Sequence, residues 1–243
     1  MGTLIVRLDS VAALREAGGT HDPDPVVAAA LAELAGAGGV SLDVGVARRA
    51  AAERDLRILK ETVRTFLNVC LPPQDEWVKL VLGIRPDLAM LTPPRPGDSG
   101  GEMVLDVEDR RSELQPVIEA LKSSGIATGL VVDPDPAQLK AAHRIGAAAV
   151  LLHTGRFCWA EDGAARGVEF DRLMTAAKIA GKLGLAVHVG GGLGYRTVSQ
   201  VAAIQEIEAL HVGHSLAARA CMIGMVEAVR ELLRMLSGPG GSQ

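Results

Sequence analysis

The residues best suited to chemistry in this sequence stand near the ends of short apolar runs. Arg7 and Asp9 close TLIVRLD (3–9), Asp43 lies in VSLDV (40–44), and Asn68 and Cys70 lie in FLNVCL (66–71). Thr92, Asp133, His153 in LLHTG, His188 in LAVHV and finally His214 follow the same pattern. Carboxylates and imidazoles can move protons, a thiolate can attack carbon, and an arginine can hold an anion. Two glycine features accompany them: the run Gly190-Gly191-Gly192 and Gly213 directly before His214. Glycine lets backbone N–H groups approach a phosphate, and a helix N-terminus adds a favourable field. Each residue alone has a plainer explanation. Asp9 could cap a turn, Asp133 in VVDPDP has turn composition, His153 could be a hydrogen-bonded rim residue, and Cys70 fits a small buried hydrophobe. The direction of His188 depends on strand register, and the glycines could simply turn the chain.

What could bring these residues together is the alternation of elements that carries them. Apolar strand-like runs at 3–9, 40–44, 66–71, 88–93, 127–133, 148–154, 185–189 and 209–213 alternate with helical segments. The helices are predicted at 24–38, 53–63, 73–84, 108–123, 135–145, 169–183, 196–203 and 215–236. Asp24 and Pro25 read as the N-cap and first position of the first of these. The strands are continuous apolar runs, as expected where both faces of a parallel sheet are covered. Eight such units predict one α/β domain, a (β/α)₈ TIM barrel over 1–236 with a flexible tail at 237–243. An open doubly wound sheet is the rival, but the segment after the first strand lacks the dinucleotide glycines. In a barrel the strand C-termini share one mouth, and the loops after strands seven and eight often cradle phosphate. The Pro- and Gly-rich stretch 93–103 reads as a long loop.

Composition narrows the partners. Of 243 residues, 48% are apolar and only 2% aromatic, with a net charge of −4 and a pI near 5.9. That is a globular chain without the basic or stacking character of a nucleic-acid binder. No run reaches membrane-span length, and the N-terminus lacks the apolar core of a secretory signal. Cys70, Cys158 and Cys221 are odd in number and widely spaced, which points to neither zinc nor a disulfide framework, and to a reducing cytoplasm.

Over nearly its whole length the sequence resembles pyridoxine 5′-phosphate synthases. The resemblance is carried by DSVAALREAGGTHDPDPVVAA (9–29), RRAAAERDLRIL (48–59), FLNVCL (66–71), LLHTG (151–155), GGGLGY (190–195) and HVGHSLAARACMIGM (211–225). It implies a metal- and cofactor-free barrel, a cytoplasmic octamer, that condenses 1-deoxyxylulose 5-phosphate with 3-amino-2-oxopropyl phosphate. It also implies phosphate contacts at Gly192, Gly213 and His214, with Arg7, Asp9 and Ser10 beside them.

Several family positions carry other residues here. Asp43 replaces the histidine base of strand two, Cys70 the catalytic glutamate of strand three, and Gly191 the proton-donating histidine after strand seven. Arg7 and Ser10 replace an asparagine and a histidine around Asp9, and Gly18, Gly45, Ala50 and Gly101 replace further polar residues. A positioned acid or base contributes ~10²–10⁴ in rate, and a carboxylate of reference pKa about 3.9 is a weak base at neutral pH. The expectation is therefore a paralogue with a retained phosphate cup and degenerate acid–base groups. It would be non-catalytic or repurposed, binding a small phosphorylated molecule or inorganic phosphate or acting as an oligomeric scaffold. The alternative is an enzyme condensing or isomerising phosphorylated small molecules, residual pyridoxine 5′-phosphate synthesis included.

Overall fold

The structure, a computed structural model, describes residues 2–46, 48–94 and 104–237. Eight strands are hydrogen-bonded in chain order into a closed barrel, and every neighbouring pair is parallel. They are β1 (Thr3–Arg7), β2 (Gly39–Asp43), β3 (Leu67–Leu71), β4 (Leu88–Leu91), β5 (Ala127–Val132), β6 (Ala149–His153), β7 (Ala186–Gly190) and β8 (Ile207–Val212).

The outer ring begins with α1 (Asp9–Gly18), α2 (Pro25–Leu34), α3 (Arg49–Thr62), α4 (Asp75–Ile84), α5 (Arg111–Ser123) and α6 (Pro136–Arg144). It continues with α7 (Gly155–Cys158), α8 (Gly163–Lys182), α9 (Val198–Ala202), α10 (His214–Ile223) and α11 (Met225–Ser237). The eight-unit barrel expected from the sequence is therefore the fold. Three details differ. The chain turns into α1 directly at Asp9, α7 follows β6 at once, and the last helical stretch is two helices. Gly224, at φ +82°, breaks that stretch in a backbone region open to glycine. The loop at 93–103 lies almost wholly, and the tail at 238–243 entirely, outside the described residues.

Local chemistry explains where helices start. The Asp24 carboxylate accepts the Val26 N–H at 2.8 Å ahead of Pro25, and Asp135 does the same for Ala137 at 2.7 Å ahead of Pro136. A carboxylate at this position satisfies an orphan amide and meets the positive end of the helix dipole.

Strand alternation sorts the side chains into two layers. Leu4, Val6, Leu42, Val69, Ala89, Leu91, Leu130, Val150 and Val187 face the helices in the main core. Cys70, Leu88, Met90, Val131, Ala149 and Leu151 form a smaller cluster inside the barrel. Gly129 makes room there, since a Cβ on it would lie 2.8 Å from the Met90 sulfur. That apolar filling comes from β3–β6. Ser41, Asn68, His188 and His211, all buried, come from β2, β3, β7 and β8.

Candidate active site at the barrel mouth

Because all eight strands run parallel, their last residues collect at one end. His153 pairs in register with Gly190, and Gly190 with His211. Gly213 follows β8 and packs against Arg7, whose Cβ would be 3.0 Å from a Cβ on the glycine. Arg7 pairs with Ser41 of β2, and Asp43 with Cys70 of β3. The sequence-predicted residues thus form one arc: His153, Gly190–192, Gly213–His214, Arg7, Asp43 and Cys70.

An ion cluster stands at the centre of the arc. The Arg7 Nε donates to Asp9 Oδ2 at 2.6 Å, and its terminal nitrogen lies 3.9 Å from Asp43 Oδ2. The Asp43 N–H donates to Asp9 Oδ1 at 2.8 Å, and the Gly45 N–H to Asp43 Oδ1 at 2.8 Å. Burial opposes the Arg7 charge, but Asp9 and Asp43 outweigh it and hold the guanidinium protonated well above its ordinary range. Arg7 keeps about a fifth of its side chain exposed. The cluster fixes one guanidinium between two carboxylates at the mouth. Asp43 also lines a cavity of about 140 Å³ with Gly45, Gln74, Trp77 and Thr92.

Cys70 lies beneath this cluster, completely buried. Its sulfur is 3.6 Å from the Ser41 hydroxyl and 3.4 Å from the Asn68 amide. Burial pushes the thiol up to about 11, against the pull of Arg7. The thiolate is the nucleophile, so Cys70 is a packed neutral thiol here. His188, whose direction the sequence left open, also points inward. Its Nδ1 and the Nε2 of His211 share a hydrogen bond at 3.0 Å. Burial lowers His188 to about 4, and burial together with His188 and Arg7 lowers His211 as well.

The glycine run is held by a residue the sequence reading passed over. The Thr154 N–H donates to the Gly190 carbonyl at 2.7 Å. Its hydroxyl reaches the carbonyls of Gly190 and Gly191, at 3.0 and 2.6 Å. Gly191 and Gly192 adopt φ of +97° and +81°, which favour glycine. The His153 ring lies over this loop. A Cβ on Gly191 would overlap it, with Cδ2 at 2.5 Å and Nε2 nearer still. Trp159 closes the other side, its Nε1 3.1 Å from where a Cβ of Gly192 would stand. Gly213 caps α10, which opens with an exposed His214, and Ser10 sits half-buried in the first turn of α1. Asp133 lies elsewhere on the rim, bound by Arg172 at 2.9 Å and Arg156 at 3.4 Å.

His211 and Trp159 were also passed over. A signal for His211 was present: His188 stands two residues before Gly190, which ends β7, and His211 two before Gly213, which follows β8, so equivalent positions of adjacent strands share a face. Among the described residues no group of three His, Cys, Asp or Glu side chains could hold a metal ion. No helix there is long and apolar enough to cross a membrane.

The family profile described as "Pyridoxal phosphate biosynthesis protein PdxJ" matches residues 4–238. The chain belongs to the PdxJ family. It is 44% identical over 238 residues to a pyridoxine 5′-phosphate synthase of Syntrophotalea carbinolica, covering 98% of this chain and all of that one. A synthase of that name from Synechococcus is 44% identical over 232 residues, covering 96% and 97% of the two chains. A solved structure, KGPDC from Streptococcus mutans, superimposes with a TM-score of 0.67 at 11% identity, covering 99% and 100% of the two chains. That likeness speaks for the barrel alone. The PdxJ relatives carry a synthase name over their whole length. They fit the alternative of a working synthase better than the non-catalytic paralogue expected from the substituted positions, and that expectation is not supported.

Proposed function

We propose that this PdxJ-family barrel is an enzyme acting on phosphorylated small molecules. Its reaction is the condensation of 1-deoxyxylulose 5-phosphate with 3-amino-2-oxopropyl phosphate to pyridoxine 5′-phosphate. The observation that carries this reading is the continuous arc from His153 to Cys70 at the mouth, in a chain matched end to end by named synthases.

In this reading Gly192, Gly213 and His214 receive a substrate phosphate on backbone N–H groups and the α10 N-terminus, with Ser10 adding a hydroxyl. Arg7, held by Asp9 and beside Asp43, offers its remaining guanidinium N–H donors. Asp43, which also accepts from Gly45 and neighbours Arg7, faces the bound carbonyl compound, and Cys70 packs beneath without taking part in bond making. Positions 43, 70 and 191 hold weaker or no proton-transfer groups, so kcat falls below that of an enzyme with a full acid–base set by about 10²-fold or more.

Self-association belongs to the same proposal, as the octamer that the family resemblance implies. A mostly apolar cleft of about 860 Å³ between α1, α2, α10 and the start of α11, with Leu14, Val27 and Met225 in its wall, supports it. The proposed location is cytoplasmic. The chain needs no metal or cofactor in this scheme. The proposed domain division remains one barrel to 236 with a short tail.

The test is direct. Purified protein is given both substrates and pyridoxine 5′-phosphate is quantified, alongside growth rescue of a cell lacking its own ring-closing step. Product formation and rescue are expected. No product together with undiminished binding of 1-deoxyxylulose 5-phosphate would return the chain to a binding role.

A further inference from the structure

His153 is set differently from the other imidazoles of the barrel. It ends β6, half-buried at the mouth, while His188 and His211 bond to each other inside. The Gly155 N–H donates to its Nδ1 at 3.3 Å. A nitrogen that accepts carries no proton, so the neutral ring must hold its hydrogen on Nε2. Nε2 is the atom that lies over Gly191. Two glycines make this seat: a Cβ on Gly155 would approach Cε1 to 2.5 Å, and one on Gly191 would overlap the ring's other edge. The Trp159 ring leans on the imidazole with centroids 6.0 Å apart. The ring is therefore fixed by packing, with one N–H beside the glycine loop and no acidic partner bonded to it among the described residues.

We propose that His153 is a catalytic residue of this site, donating a hydrogen bond from Nε2 to an oxygen of the phosphorylated substrate, such as the carbonyl that gains negative charge as the condensation proceeds. The proposal rests on the function proposed above. A donor of this kind is neutral and keeps its proton. It stabilises charge on oxygen and transfers nothing, so no bond is made or broken at the ring. The charged groups around it agree. Burial lowers its pKa, and Arg7 of β1 and Arg156 of α7 lower it further against the opposing pull of Asp133 beyond β5. Protonating Nδ1 would also break the bond from Gly155.

The experiment compares wild type, His153→Ala and His153→Gln in kcat/KM for 1-deoxyxylulose 5-phosphate across pH, with ¹⁵N NMR of the imidazoles. Alanine is expected to lower kcat/KM by about 10²–10³-fold, with glutamine, which keeps an N–H donor, recovering part of it. NMR should show the Nε2–H tautomer, with that nitrogen shifting when 1-deoxyxylulose 5-phosphate is added. Wild-type rates in both variants overturn the role of His153 and leave the proposed function standing. Absent turnover in wild type overturns the proposed function instead, and the Nε2 response to the sugar phosphate then decides alone. An unmoved Nε2, or an Nδ1–H tautomer, sinks the inference.

Discussion

Arg15 and Asp55, forty residues apart in the chain, close a two-pronged ion pair, with nitrogen–oxygen distances of 3.0 and 2.7 Å and both side chains buried. Arg54 adds a third contact to Asp55 at 2.8 Å and reaches back to Asp24, the cap of α2. Burial alone would raise the Asp24 carboxyl, but Arg54 and the Val26 N–H outweigh it and hold it below its ordinary range. The network ties α1, α2 and α3 together. It also explains two stretches that carry the family resemblance: Arg15, Asp24 and Asp55 lie within them and serve architecture more than chemistry.

Asp55→Ala should therefore be costly. It removes the carboxylate bonded to the buried Arg15 and leaves Glu16, 3.9 Å away, as its nearest counter-charge, so the cost falls at the lower end of about 3–5 kcal/mol. Arg54→Ala removes a half-exposed partner and should cost about 1 kcal/mol or less. Urea unfolding of the two variants against wild type measures the difference; equal midpoints would contradict the assignment.

The His188–His211 pair makes stability depend on pH. Both rings are buried with their pKa values lowered, His188 from 6.5 to about 4. Between those limits the unfolded chain binds protons that the folded chain refuses, so stability is present above pH 6.5 and is lost as pH falls. His188 alone contributes roughly 3 kcal/mol across that window. Urea unfolding at pH 7.5 and at pH 5 should show the loss in wild type, and a smaller loss in His188→Asn.

Thiol reactivity should separate the cysteines by environment. Cys221 is exposed, Cys158 intermediate and Cys70 buried, with burial raising both Cys158 and Cys70. Iodoacetamide at pH 8 should leave Cys70 untouched in the native protein and modify Cys221, which lines the cleft proposed for self-association, first only in dissociated subunits. Peptide mass mapping reads the order. Early labelling of Cys70 would show that the barrel interior opens to solvent and that its thiol is available at the mouth.

The sequence by itself determined the eight apolar runs, their alternation with helices, the caps at Asp24 and Pro25, and the glycine turns after the seventh and eighth strands. These are local matters of periodicity, capping and backbone freedom, and each is written within a few residues. Tertiary structure decided the rest, because closing the barrel sets neighbours that no short window contains. It lays His153 of β6 over Gly191 of β7, brings Arg7 of β1 against Gly213 after β8, and joins His188 to His211. It also turns Cys70 into a buried neutral thiol beneath Arg7, where position in the chain had left it at the catalytic end. Which polar groups meet water, which meet each other and which are sealed away depends on register and closure, and those arise only when all eight strands pack around one axis.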